Sequence, residues 1–98
     1  LRMAYLNTQE REDLLQQLIK LNYMQAKRKI RNMDPKSHLG VYRNVQGVNR
    51  WVTRYELPSL GTKVTLVETY ALEGAERVKE SDYELTEVIV EPTPENRT

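Results

Sequence analysis

Apolar residues in the first third of the chain recur at steps of three and four, the spacing that places them on one face of an α-helix. Asn7 and Glu10 match a capping box at the start of this pattern, and Asp34-Pro35 ends it because proline disfavours a helical residue before it. We therefore predict one amphipathic helix over 7–34, roughly 39 Å long for residues 8–33. The repeating apolar set is Leu15, Ile19, Tyr23, Ala26, Ile30 and Met33, widened by Leu14, Leu18 and Leu21.

After Gly40 the apolar positions alternate with a period of two, and Val, Tyr, Trp and Thr become frequent. The pattern predicts strands over 40–46, 50–57, 62–71 and 82–91, separated by a turn at Gly47, the sequence PSLG and a longer connection at 73–81. Short connections favour antiparallel neighbours. The expected architecture is α+β, with the N-terminal amphipathic helix packed on an antiparallel sheet of about four strands over 40–91.

The alternation also predicts which strand residues face the helix. The opposite face mixes valines with charged residues, so it is neither cleanly polar nor cleanly buried. A strongly twisted sheet that curls toward a small barrel would account for such a face. The residues expected to face the helix are Trp51, Thr53, Tyr55, Leu57, Val64, Leu66, Tyr70, Tyr83, Leu85 and Ile89.

The composition fits one small soluble domain over 1–98, with 39% apolar and 30% charged residues. The chain contains no cysteine, no apolar run near the roughly 20 residues of a membrane helix, and no apolar centre of a secretion signal at its start. We expect a cytoplasmic protein with no membrane partner. The segment 92–98 has two prolines and no apolar residue, which predicts a flexible tail.

Familiar catalytic machinery is missing from the sequence. His38 is the only histidine, which together with the absence of cysteine excludes metal sites built from His and Cys clusters and Cys–His nucleophile pairs. No G-x-G-x-x-G or complete phosphate-binding loop occurs. The acidic residues of the second half lack the spacing of a calcium loop. The sequence predicts a protein that is not an enzyme and that has no cofactor and no metal site.

The net charge of +1 hides two halves of opposite sign. Residues 1–54 contain eleven lysines and arginines and four acidic residues, a net charge of +7, whereas residues 55–98 contain four and ten, a net charge of −6. The helix dipole favours cations near a helix C-terminus, which accounts for part of the positive segment. It does not account for the cations beyond residue 34. The candidate binding residues are Lys20, Lys27, Arg28, Arg31, Lys36, Arg43, Arg50 and Arg54.

Three interpretations of this basic segment stay open. An acidic protein surface is the favoured partner, bound by a non-catalytic module or accessory subunit. RNA or single-stranded nucleic acid is the alternative, since arginines alternate with aromatics near Arg50 and Arg54, although Trp51 and Tyr55 are predicted to face the core. A purely structural charge pattern is the third. The length of the predicted helix also makes a homodimer plausible, with 23–33 packing on a second copy.

Overall fold

The computed structural model describes residues 5–44, 50–69 and 84–96, apart from the side chains of 41–44, 50, 51, 69 and 84. Two helices precede a sheet of four strands, so the predicted α+β architecture is confirmed. A short 3-10 helix, Pro58–Leu60, joins the second and third strands. The elements are α1 (Thr8–Leu18), α2 (Tyr23–Met33), β1 (His38–Asn44), β2 (Arg50–Leu57), β3 (Thr62–Thr69) and β4 (Glu84–Pro92).

The prediction of one continuous helix over 7–34 is wrong, because the chain forms two helices with a break at 19–22. Asn7 and Glu10 form the predicted capping box of α1. Asn22 and Gln25 form a second one: Asn22 Oδ1 accepts from the Gln25 backbone N–H at 2.9 Å, and the Asn22 N–H donates to Gln25 Oε1 at 3.1 Å. An N-cap residue has extended backbone angles, here φ −81° and ψ 174°, and cannot lie inside a helix.

The sheet has the strand order β1-β2-β3-β4, with antiparallel neighbours as predicted. It stays open in the described part of the chain, so the expected closure toward a barrel does not occur. The predicted strands match the observed ones to within a few residues. The parts of the prediction at 45–46, 70–71 and 82–83, the turn at Gly47 and the connection at 73–81 lie outside the described residues.

The core lies between the two helices and one face of the sheet. On the sheet side the predicted residues Thr53, Tyr55, Leu57, Val64 and Leu66 are buried, while the side chain of Trp51 and residues Tyr70 and Tyr83 lie outside the described part. α1 lies against β4. The buried hydrophobic cluster comprises Leu14, Leu18, Tyr23, Ala26, Ile30, Tyr55, Leu57, Val64 and Leu66.

Two predicted core residues are exposed, each for a local reason. Ile19 falls in the break between the helices and is 51% exposed. Ile89 is 40% exposed because β4 contains a bulge: Val67 pairs with Glu87 but Glu68 pairs with Leu85, which leaves Thr86 as an extra residue. The extra residue shifts the alternation, so Val88 and Val90 pack against the core together with Leu85.

The flexible tail predicted for 92–98 is wrong for the part that the structure describes. Pro92 belongs to β4, and Thr93 and Asn96 are buried. The Asn96 side-chain amide donates to the carbonyl oxygens of Leu6 at 2.8 Å and Gly61 at 3.1 Å. These bonds tie residues 92–96 to the segment before α1 and to the β2–β3 connection.

Candidate binding surface

The basic candidates on α2 face away from the core because of the position of its apolar residues. Tyr23, Ala26 and Ile30 are buried at steps of three and four, so the residues between them project from the other side of the helix. Arg28 and Arg31 are exposed there. Lys29 is partly buried, which suits a side chain whose stem lies along the protein and whose ammonium reaches water.

Two shallow grooves meet at Arg28 on this side of α2, and Asn32 lines both of them. We call this surface the α2 face. The larger groove, of about 400 Å³, is lined by Leu21, Gln25, Arg28, Lys29, Asn32 and Met33. The smaller one, of about 240 Å³, is lined by Met24, Lys27, Arg28, Arg31 and Asn32. The α2 face therefore combines guanidinium and ammonium groups with apolar side chains.

Three cations of the α2 face have no acidic partner among the residues that the structure describes. No carboxylate in the described ranges lies within ion-pair distance of Arg28, Lys29 or Arg31. Lys27 lies over the Tyr23 ring, with its Nζ 5.9 Å from the ring centroid, close enough for a cation–π contact. Only Arg31 lies in the last turn of α2, so the helix dipole accounts for one of these cations and not for the others.

Of the remaining candidates, Lys20 and Lys36 do not line either groove. Lys20 lies in the break between the helices, so it does not share one face of a continuous helix with Lys27 and Arg31. Lys36 is exposed in the turn after α2. Arg43 pairs with Val52, and Arg50 pairs with Thr69, but their side chains lie outside the described part.

Arg54 lies on the side of the sheet opposite to α2. Its neighbours Thr53 and Tyr55 are buried under the helices, and alternation along β2 places Arg54 on the other face. There its Nε donates to Thr65 Oγ1 at 3.4 Å. The structure thus places the predicted residues of α2 and Arg54 on opposite sides of the molecule. One flat partner cannot contact both at the same time.

A buried polar network lies beneath the α2 face, and the sequence pattern did not predict it. The hydroxyls of Tyr23 and Tyr55 are 3.1 Å apart, and Thr53 Oγ1 donates to Glu68 Oε1 at 3.1 Å. Burial, followed by the hydrogen bond to Tyr55, raises the pKa of the Tyr23 phenol far above its usual 10.0. Strand alternation placed Thr53 and Tyr55 in the core, and helical periodicity placed Tyr23 there. Neither pattern could show that their polar groups would meet.

His38 borders a separate cavity of about 630 Å³ near the start of β1, together with Tyr5, Gly40, Glu56, Pro58, Thr93 and Glu95. Its Nδ1 lies 3.4 Å from the Lys36 carbonyl oxygen, a local contact of the loop. Among the residues that the structure describes, no group of three or more His, Asp or Glu side chains is arranged to hold a metal ion.

Six further residues complete the α2 face, and the sequence pattern did not assign them to a site: Leu21, Met24, Gln25, Lys29, Asn32 and Met33. Leu21 and Met33 were predicted as core residues, and they do pack against the core from its edge. The Asn22–Gln25 capping box is the sequence signal that predicts the end of the first helix. With that end known, Leu21 and Met33 are expected at the edge of the core.

Neither helix of the described chain is long and apolar enough to cross a membrane. No protein-family model, curated protein or solved structure matches this chain.

Proposed function

We propose that this protein is a non-catalytic binding module or accessory subunit that engages an acidic protein segment through the α2 face. The observation that carries the proposal is the position of Arg28 between two grooves, with Lys29 and Arg31 beside it and no carboxylate of the described residues paired with them. A partner that brings carboxylates to these cations gains interactions that the described residues of the chain do not make. A cytoplasmic setting stays a prediction from the cysteine-free sequence.

The chemistry of the grooves favours protein over nucleic acid. Leu21 and Met33 line the larger groove and Met24 lines the smaller one, and flexible thioether side chains adapt to apolar side chains of a partner. A single-strand site would instead present aromatic rings beside the cations. Tyr23 and Tyr55, the aromatic residues near α2 whose side chains are described, are 4% and 5% exposed and offer no ring face for a base.

The experiment that tests this proposal is site-specific photo-crosslinking in lysate of the native cells. A photoreactive benzoylphenylalanine replaces Asn32, which is exposed and lines both grooves. The matched control carries the same group at Ile89, which is exposed on the opposite face of the sheet. Each protein is irradiated with and without nuclease and at low and high salt, and crosslinked peptides are identified by mass spectrometry.

We expect acidic peptides to crosslink at position 32. These crosslinks should be lost at high salt, and they should also be lost when Arg28, Lys29 and Arg31 are changed to Gln. The control at position 89 gives a different set of products. Products that disappear with nuclease would overturn the proposal in favour of nucleic acid. Products that persist in the variant with three Gln residues, or no product at position 32, would also overturn it.

A further inference from the structure

The solvent side of α1 has a composition that complements the α2 face. Glu12, Gln16 and Ile19 follow one another at steps of four and three, and all three are exposed. Asp13 lies beside Glu12 and is exposed too. Ile19 leaves 51% of its surface in water, a large exposure for an isoleucine. This side of α1 is therefore an acidic stripe that ends in an apolar residue, and we call it the α1 stripe.

Both helices pack on the same face of the sheet, since Leu14 and Leu18 of α1 share one buried cluster with Tyr23, Ala26 and Ile30 of α2. Their solvent sides consequently form one layer that points away from the sheet. Within this layer Thr8–Leu18 carries a net charge of −2 and Tyr23–Met33 a net charge of +4. The layer is thus divided into a negative helix and a positive helix.

We infer that the acidic occupant of the α2 face is the α1 stripe of a second copy of this chain. This inference rests on the proposed function and names its partner. In the pair, Ile19 of one copy enters the groove between Leu21 and Met33 of the other, and Glu12 and Asp13 approach Arg28 and Lys29. The same contacts repeat in the opposite direction, because a two-fold axis brings α2 of the first copy onto α1 of the second.

A surface that contains both a negative and a positive helix is complementary to itself under two-fold rotation, which is the commonest symmetry of protein dimers. Each charge contact then occurs twice, and the apolar area of two Ile19 side chains and two grooves leaves water together. An unrelated acidic partner would match the α2 face but would leave the α1 stripe, including Ile19, in water. Self-pairing accounts for both surfaces with one contact.

Charge exchange tests the inference with the purified full chain in sedimentation velocity. One variant carries Glu12→Lys and Asp13→Lys, which makes both helices positive. The second carries Arg28→Glu and Lys29→Glu, which places negative side chains at the two contact positions and lowers the net charge of α2 from +4 to zero. All four positions lie outside the buried core, and circular dichroism with urea unfolding checks that each variant folds.

The wild type should dimerise more tightly at low salt than at high salt, and each variant alone should dimerise at least about ten-fold more weakly. Mixing the two variants should restore a dimer that contains one copy of each, because every α1–α2 contact again joins opposite charges. Ile19→Ala should weaken the wild-type dimer, and Ile89→Ala should not.

A wild type that stays monomeric at low salt, or a mixture that does not recover, would overturn the inference. Either result leaves the proposed function standing if position 32 still crosslinks to acidic peptides of another protein. Loss of salt-sensitive crosslinking at position 32 to any protein would instead reject the proposed function itself.

Discussion

At the residue scale, the buried carboxylate of Asp34 connects two elements that are far apart in sequence. Asp34 is fully buried. Its Oδ1 accepts from the Lys36 backbone N–H and its Oδ2 accepts from the Ser59 backbone N–H, both at 2.9 Å. The sequence predicted only that Asp34 ends a helix before proline. Its link to the β2–β3 connection depends on tertiary structure that a local pattern does not contain.

Asp34→Ala should lower the free energy of unfolding by about 1–3 kcal/mol, because it leaves the Ser59 N–H without its acceptor. Asp34→Asn keeps one acceptor oxygen and should have a smaller effect. Gln17→Ala is the control on an exposed helix position and should change stability by less than about 0.5 kcal/mol. Urea unfolding measures all three, and equal effects of Asp34→Ala and Gln17→Ala would show that the buried contacts contribute nothing.

The raised pKa of Tyr23 predicts a loss of stability in alkali. Above pH 10.0 the unfolded chain releases the Tyr23 proton, whereas the folded chain retains it because the charged phenolate is disfavoured in the core. The contribution of Tyr23 to the free energy of unfolding is therefore complete below this pH and declines as the pH rises. The free energy of unfolding should fall between pH 10 and 11 by up to about 1.4 kcal/mol more in the wild type than in Tyr23→Phe. Parallel pH profiles of the two proteins would contradict this assignment.

Strand faces show how far single residues can be predicted. Alternation assigned Thr53, Tyr55, Leu57, Val64 and Leu66 correctly, since β2 and β3 pair without irregularity over those residues. It failed at Ile89 because the bulge at Thr86 adds a residue to β4 and reverses the phase beyond it. A bulge arises from pairing with a neighbouring strand, so the sequence of β4 alone gives no signal for it.

At the element scale, the main departure from prediction is the break between α1 and α2. The apolar repeat continues through residues 15–33, and it alone favours one helix. The Asn22–Gln25 capping box has the same form as the Asn7–Glu10 box that was recognised, so the break could be predicted from the sequence. An N-cap signal inside an apolar repeat indicates two helices when both sides of the box are present.

Asn22→Ala should destabilise the protein by about 1 kcal/mol, because it removes the acceptor for the Gln25 N–H at the start of α2. Asn22→Asp keeps this acceptor and should lose much less. Gln17→Ala, at an exposed position within α1, serves as the control with little expected change. Urea unfolding compares the three. If Asn22→Ala is as stable as Gln17→Ala, the second cap does not stabilise the break.

The contact of residues 93–96 with the β2–β3 connection depends on Gly61. Gly61 has φ 56° and ψ 39°, the left-handed region that favours glycine. A Cβ at this position would lie 2.6 Å from Tyr5 Cδ2 and 2.9 Å from Asn96 Cβ. The sequence predicted a turn here but treated the last residues as a flexible tail, because Thr and Asn carry no apolar signal.

Gly61→Ala should lower the free energy of unfolding by at least about 2 kcal/mol, through backbone strain and the clash with Tyr5 and Asn96. Gly40→Ala is the matched control: its φ is not positive, and its Cβ would lie 3.3 Å from Glu56 Cγ on a flexible side chain. It should cost less than about 1 kcal/mol. Similar melting temperatures for the two variants would contradict the role assigned to Gly61.

At the scale of the whole molecule, the fold divides the basic residues that the sequence grouped together. In the sequence these lysines and arginines fall in one segment, from residue 20 to 54. The fold leaves Arg28, Lys29 and Arg31 on the solvent side of α2 and Arg54 on the far face of the sheet. Sequence could predict that cations are abundant here, but which of them share a surface depends on how α2 and β2 pack.

The central claim is that binding depends on the α2 face and not on the other cations of the chain. The most direct test is the affinity for the acidic peptide crosslinked at position 32, measured by fluorescence anisotropy across a range of salt concentrations. Changing Arg28, Lys29 and Arg31 together to Gln should weaken binding by about ten-fold or more and flatten its salt dependence, while Arg54→Gln leaves both unchanged. An equal loss of affinity in Arg54→Gln, or an unchanged affinity and salt slope in the α2 variant, would contradict the account.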